Sequence, residues 1–263
     1  MSGFYIGVDG KARKIKGGYI GIDGKARKIK KGYIGVNGVA RLCWTAVDPV
    51  FANNSWEDII ATCQTGSVPD TWNVGDKKTM NIGGTDYVID IIGKNHDDYA
   101  DGSGKAPLTF QFNALYASKV AMNDTAVNSK GWMSSNIRKN HLPTILAQMP
   151  TAVQTALKAV NKYTSKGMNS SEIIRTEDKL FILSEIEVYN TTSKSYAGEG
   201  TQYAYYAAGN KKEKRGGTYY ENGWLRSPYK GDNGSYCYVH SSGILYSMNA
   251  NSTNAYVAPA FCF

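Results

Sequence analysis

The chain has little of what redox and metal chemistry requires. Four cysteines and three histidines are spread over 263 residues, and Cys43, Cys63, Cys237 and Cys262 form no CxxC pair and no cluster with histidine. A zinc site needs that spacing and is set aside, so the thiols read as buried and free, and neither a metal nor a cofactor is expected. Long apolar runs are missing as well. No window approaches the ~20 apolar residues that span a bilayer, and no apolar segment follows Met1 as a signal peptide would require. The expectation is a protein made in the cytoplasm, without a signal peptide and with no membrane-spanning segment. Over most of the chain an excess of either charge is also absent. Residues 1–42 carry ten Lys or Arg against Asp9 and Asp23, while the remainder holds 20 basic and 20 acidic side chains. The net charge of +8 therefore sits in the N-terminal tract, and any case for an anionic partner is confined to it.

What is present begins with a repeat. YIGVDGKARKIKGG starts at Tyr5, YIGIDGKARKIKKG at Tyr19 and a shorter YIGVNGVARL at Tyr33. Each unit is a strand-prone run, a turn pair (Asp9-Gly10, Asp23-Gly24, Asn37-Gly38) and a second run. Asp-Gly and Asn-Gly supply the two positive φ angles of the tightest hairpin turn, so residues 1–45 read as β-hairpins joined into a meander. Such thin hairpins bury no core of their own, and self-association or attachment through residues 1–42 is expected, with a trimer as the first guess. Lys11, Arg13, Lys14 and Lys16, repeated as Lys25, Arg27, Lys28 and Lys30, read as a solvated strand face. Nucleic-acid binding is the lesser reading, because no stacking aromatic accompanies each basic run.

Residues 46–263 read as one mixed α+β domain. Ser55 before WEDIIATC, with Asp58 three residues on and Gly66 beyond, marks a capped helix. Gly83-Gly84 separates two strand-like runs of a hairpin. From Phe110 to about Lys166 apolar residues recur at helical spacing, whereas Asp178 to Val188 has strand character. Beyond that the chain is loop-rich, and 11 of its 19 tyrosines fall between Tyr196 and Tyr256. In the last 40 residues, apolar anchors (Trp224, Leu225, Pro228, then Val257, Pro259, Phe261) bracket a polar, aromatic middle. Trp224, Arg226, Pro259 and Phe261 read as structural, with Arg226 paired to Glu185 or Glu187. Tyr offers large contact area for few torsions, and Ser and Asn offer adaptable hydrogen bonds, a mixture favoured in binding loops. The expected ligand surface is Tyr229, Asp232, Asn233, Ser235, Tyr236, Tyr238, His240, Ser242, Tyr246, Asn249, Asn251, Asn254 and Tyr256.

An ordered series of phrases covers residues from about 68 to 263: WNVGD, IIGKNHD, GWMSSNIR, DKLFILSEIE, EGTQYAYY, WLRSP and a terminal VAPAF. In this order they resemble a domain family of unknown function found in Gram-positive gut bacteria and their phages. That family is similar to the C-type lectin-like fold of formylglycine-generating enzymes and of the variable proteins of diversity-generating retroelements. The chain departs from many relatives by lacking the Arg of a terminal GVRPAF, which removes one ion pair from the frame. The N-terminal repeat resembles segments of phage tail proteins. The resemblance implies a virion protein, a tail-tip or receptor-binding component that contacts other tail proteins and a host cell-surface protein or glycan. Asn, Asp, Ser, Tyr and His are also what adenine-directed diversification leaves at Asn-type codons.

An enzyme would need a nucleophile, a base and a stabiliser. His96, beside Asp97 and Asp98, is the nearest base but reads as part of a turn, and His141 reads as a cap or core contact. Cys237 in SYCYV and Cys262 in AFCF are flanked by aromatics like buried residues. Asp232-Asn233 between Gly231 and Gly234 reads as a turn before an ion site. The expectation is a non-enzymatic binding protein; a bacterial surface adhesin of the same fold and a formylglycine-generating-type enzyme are the alternatives.

Overall fold

The computed structural model describes residues 5–8, 11–14, 18–29, 31–45 and 47–263. The chain divides into two compact units, residues 1–73 and 74–263.

In the first unit, Tyr5–Val8 pairs with Lys11–Lys14, Gly18–Ile22 with Lys25–Ile29, and Lys31–Val36 with Val39–Thr45, all antiparallel. Asp23 and Gly24 (φ 52° and 70°) and Asn37 and Gly38 (φ 51° and 75°) have the double positive φ that the two-residue turn requires. The Asp9-Gly10 turn lies outside the described residues. The expected meander is corrected: among the described residues, strands pair only within each hairpin. Turn chemistry sits inside each repeat, and the joints between repeats, IKGG from Ile15 and IKKG from Ile29, have no Asn-Gly or Asp-Gly to fold one hairpin edge onto the next. Lys25 is exposed, as a solvated face requires. The side chains of Lys11, Arg13, Lys14, Lys16, Arg27, Lys28 and Lys30 lie outside the described residues. The helix Trp56–Gln64 starts where its cap predicts, with Ser55 Oγ accepting from Asp58 N at 3.1 Å, and it is followed by Gly66 at φ 63°. Phe51 meets Trp72 edge to face at 5.2 Å, and the Trp72 indole donates to Asp48 O at 3.0 Å.

The second unit is mixed α and β, with small antiparallel sheets and short helices. Its main sheet has five strands in the order Leu180–Phe181, Ala260–Cys262, Leu108–Phe112, Thr85–Lys94 and Lys77–Ile82. The last two form the expected hairpin, with Gly83 and Gly84 at φ 58° and 85°. Every residue of Leu108–Phe112 is buried, and Phe110 stacks on Phe261 and packs on Phe263, each at 5.4 Å. This overturns the helical reading of Phe110 to Met122. The strand alternates Leu108, Phe110 and Phe112 with Thr109 and Gln111, and because both sets are buried its short pattern does not by itself exclude a buried helix. Helices do follow, at Gly131–Ser134, Leu142–Leu146 and Thr151–Ala156, the last two separated at Pro150. Val160–Gly167 then forms a ribbon with Ser170–Asp178 instead of extending the helix.

The strand reading of Asp178 to Val188 holds only to Phe181. Glu185–Tyr189 is a helix opened by a full capping box: Ser184 Oγ accepts from Glu187 N, and the Glu187 carboxylate accepts from Ser184 N. The loop-rich C-terminal stretch is also more regular than expected. Gly223–Pro228, Ser235–Val239 and Leu245–Asn249 make a three-stranded sheet, and Lys214–Gly216 pairs with Tyr219–Glu221.

Candidate functional site

Arg226, fully buried on the strand Gly223–Pro228, organises the frame beneath the C-terminal surface. Its guanidinium grips the Glu187 carboxylate with two nitrogens at 2.5 and 2.8 Å and donates to the carbonyls of Ile182 and Glu199, both at 2.9 Å. Bidentate pairing of this kind fixes orientation as well as charge. Glu187 is thus the carboxylate that Arg226 needed, and Glu185 instead accepts from the Ser193 hydroxyl at 2.9 Å and from Lys194 N at 3.0 Å. On the other side of Glu187, Lys162 Nζ donates to Glu187 at 2.9 Å, to Asp97 at 2.6 Å and to the Tyr203 hydroxyl at 3.0 Å. Thr109 donates to Asp97 at 2.5 Å.

Burial is the largest single influence on Asp97 and Glu187 and pushes both carboxyls up. Lys162 and Thr109 at Asp97, and Arg226 and Lys162 at Glu187, outweigh it and hold both below the usual carboxylate range. Glu199 behaves oppositely. It accepts from Ser165 N at 2.8 Å and from the Ser227 hydroxyl, and burial pushes it up to about 7. Asp97, Lys162, Glu187 and Arg226 pair with one another inside the protein. His96 stacks on Tyr203 at 3.9 Å, and burial lowers its pKa. Asn95 before it has φ 50°, as in the turn expected there. Cys237 and Cys262 are buried, with Cys237 Sγ 3.9 Å from Glu185 and Cys262 Sγ 3.8 Å from Asp97. Trp224, Pro259 and Phe261 are buried too, consistent with a structural frame.

The thirteen expected ligand residues do not form one surface. Tyr236 is fully buried and Ser235 nearly so, and both are withdrawn from the surface. Tyr236 lies on the central strand, opposite Pro228 on one side and Met248 on the other, and its side chain is buried. Asp232 is consumed by its own turn, accepting from Gly234 N, Ser235 N and the Ser235 hydroxyl at 2.7 to 2.8 Å. With Tyr229 and Asn233 it lies at one end of the hairpin Ser235–Val239 and Leu245–Asn249, and Asn249 is exposed at the same end, opposite Ser235. Tyr229 is half-buried under Lys194 Nζ at 5.3 Å. Asn251 and Asn254 are exposed on the return segment, where Tyr256 is half-buried with Lys119 Nζ 5.5 Å from its ring.

The other end gathers rings. Tyr238 and Tyr246 face each other across the strand pair at 6.1 Å, His240 meets Tyr246 edge to face at 5.4 Å, and Trp224, opposite Tyr238 on the next strand, meets it edge to face at 6.4 Å. His240 Nδ1 lies 2.8 Å from Ser242 Oγ within the connecting turn, and Tyr246 is 45% exposed. Two rungs of a strand pair separate Tyr238 from Tyr236, yet one ring is presented to solvent and the other is core.

The model of a domain family of unknown function (DUF6273) matches residues 108–263. The chain belongs to this family. No curated protein and no solved structure matches it. The DUF6273 region opens at the first residue of the buried central strand and closes on Phe263, so it holds Lys162, Glu187, Glu199 and Arg226. It omits Asp97 and the hairpin Lys77–Ile82 and Thr85–Lys94, which complete the ion network and the sheet. Among the described residues no group of His, Cys, Asp and Glu is placed to hold a metal ion, and no helix is long and apolar enough to cross a membrane.

One feature of the DUF6273 region corrects the confinement of positive charge to residues 1–42. Lys211, Lys214 and Arg215 line a cleft together with Lys77. The run KKEKR from Lys211 was visible in the sequence, and its balance by distant acids in the composition hid its local sign.

Proposed function

We propose that this protein is a non-enzymatic binding component of a phage virion, at the tail tip, whose C-terminal domain has a C-type lectin-like fold and recognises a host cell-surface protein or glycan. The observation that carries the binding reading is the ring cluster of Tyr238, His240 and Tyr246, presented on a hairpin whose other end is locked into the core by Tyr236. Rigid aromatic groups on a fixed frame lose little entropy on contact, and such residues dominate binding energy at interfaces. Support for a non-catalytic role comes from the buried Asp97, Lys162, Glu187 and Arg226, which pair with one another. The N-terminal hairpins leave Tyr19 (70%) and Tyr33 (56%) exposed, together with Ile34 and Val39. That exposed apolar area suits assembly with further copies or with other tail proteins. Diversification would act only where side chains are free, which excludes Ser235 and Tyr236.

The test is binding of the full chain to Gram-positive host cells and to their purified wall glycans. The double variant H240A/Y246A is expected to lose at least about tenfold in affinity with an unchanged melting temperature. Unchanged binding in this folded variant would reject the ring cluster as the contact. Deleting residues 1–42 is expected to lower the oligomeric state in solution, and an unchanged mass would reject the assembly role.

A further inference from the structure

A cleft of about 460 Å³ lies beside the hairpin Lys214–Gly216 and Tyr219–Glu221, lined among others by Lys77, Asn113, Tyr205, Lys211, Lys214 and Tyr220. Alternation along the first strand turns Arg215 out and Lys214 in, leaving Lys214 only 8% exposed. No hydrogen bond or ion pair reaches its ammonium group among the described residues. The adjacent charges are Asp90, which attracts it, and Lys77, which repels it. Asp90 accepts from Asn113 Nδ2 at 2.6 Å through one oxygen, while its other, buried oxygen makes no hydrogen bond among the described residues and has Lys77 at 3.7 Å. Burial accordingly pushes Lys214 down to about 8. A buried cation without a partner is costly, and sites that keep one are functional candidates.

The surroundings add to the same sign. Lys77, Lys211 and Arg215 contribute positive charge at the wall, against Glu213 alone among the lining carboxylates. Tyr220 is held between Lys211 and Arg215, 5.1 and 4.9 Å from its ring, and Tyr205 forms part of the opposite lining. Asn113 and Asn210 add amides. Aromatic rings, amides and one buried cation in a cavity of this size fit a small polar ligand with a single anionic group.

We propose that this cleft binds an acidic sugar unit, a polyol ring bearing one carboxylate or phosphate, with the anionic group on Lys214 Nζ and the ring against the tyrosines. The site is separate from the Tyr238, His240 and Tyr246 face and stands or falls without it.

The test is calorimetric titration of the full chain with glucuronate, with glucose monophosphate and with glucose, alongside lysine-selective NMR. At least one acid is expected to bind about tenfold or more tighter than glucose and to shift the Lys214 resonance; which acid does so identifies carboxylate or phosphate as the preferred anion. Lys214→Met is expected to remove that preference, and Lys211→Ala, at an exposed position, to weaken it about threefold at an unchanged melting temperature. Equal affinity for acids and glucose overturns the proposal, as does full retention of the preference in folded Lys214→Met. Should Lys214→Met not fold, an unmoved Lys214 resonance or an unaffected Lys211→Ala variant overturns it.

Discussion

Lys162 and Lys214 are buried to similar depth in one unit of this molecule, at 2% and 8% exposure, and they differ in company. Lys162 has two carboxylates and a phenol within 3.0 Å, and although burial alone would lower its pKa, Asp97 and Glu187 raise it above the ordinary lysine value. Lys214 has no such partner, and burial prevails. The first lysine closes a network that joins four segments far apart in sequence. The second faces a cleft. A buried charge is therefore not one kind of feature: when its partners are internal it holds the fold, and when they are missing the position is a candidate for function.

The sharpest way to break this contrast is to replace each lysine with Met. Lys162→Met strands Asp97 and Glu187 and is expected to cost ~3–5 kcal/mol in urea unfolding, because removing one partner leaves buried charge uncompensated. Lys214→Met removes an unpaired charge and is expected to be neutral or stabilising. Equal losses would mean that Lys214 has an internal role. The same contrast of closed and open applies to two tyrosines on neighbouring strands. Tyr236→Ala empties a core site and is expected to cost ~3–5 kcal/mol, whereas Tyr246→Ala should stay within about 0.5 kcal/mol while binding falls.

Acidity tests the network from within. Glu199 is raised in the folded state to about 7 from an ordinary 4.5, so the native protein holds a proton that the unfolded chain has released. Stability is then expected to fall as pH rises between those values, by on the order of 3 kcal/mol in all. Glu199→Gln keeps bonding capacity toward Ser165 and Ser227 and should flatten that slope, leaving the variant more stable than the parent above about pH 7. Asp97 and Glu187 are depressed, so their contribution is present above the ordinary carboxylate pKa and is lost as pH falls through their lower folded values. A stability profile from pH 3 to pH 9, read by thermal unfolding, checks both signs. Ser184→Ala, which removes the cap that fixes Glu187, should cost a more modest ~1–2 kcal/mol.

Much of this was legible locally. Ser55 with Asp58, Gly83-Gly84, Asp23-Gly24 and Asn37-Gly38 each specify their structure through their own hydrogen bonds or φ angles, and all four are found as read. Arg226, between Leu225 and Ser227-Pro228, called for a buried carboxylate, and the SEIE segment supplied Glu187. That segment also carried a missed signal: Ser184 followed three residues later by Glu187 is a capping box, yet the apolar run before it was read onward as strand. Leu108–Phe112 was misread for the reason opposite to the caps, since its identity as a strand depends on what covers its two faces.

The sequence by itself determined the turns, the helix caps, the buried status of Trp224, Arg226 and Phe261, and the excess of aromatic residues toward the C-terminus, because each follows from short-range chemistry or from the cost of exposing or burying one side chain. Tertiary structure alone decided which tyrosines meet solvent, since Tyr236 and Tyr238 have the same alternation and differ only in what packs over them. It also decided that Lys162 would find Asp97 and Glu187 within hydrogen-bond reach, while Lys214 has the Asp90 charge nearby but no hydrogen bond or ion pair to it. Partner distance in three dimensions, which no local pattern encodes, sets whether a buried charge is satisfied.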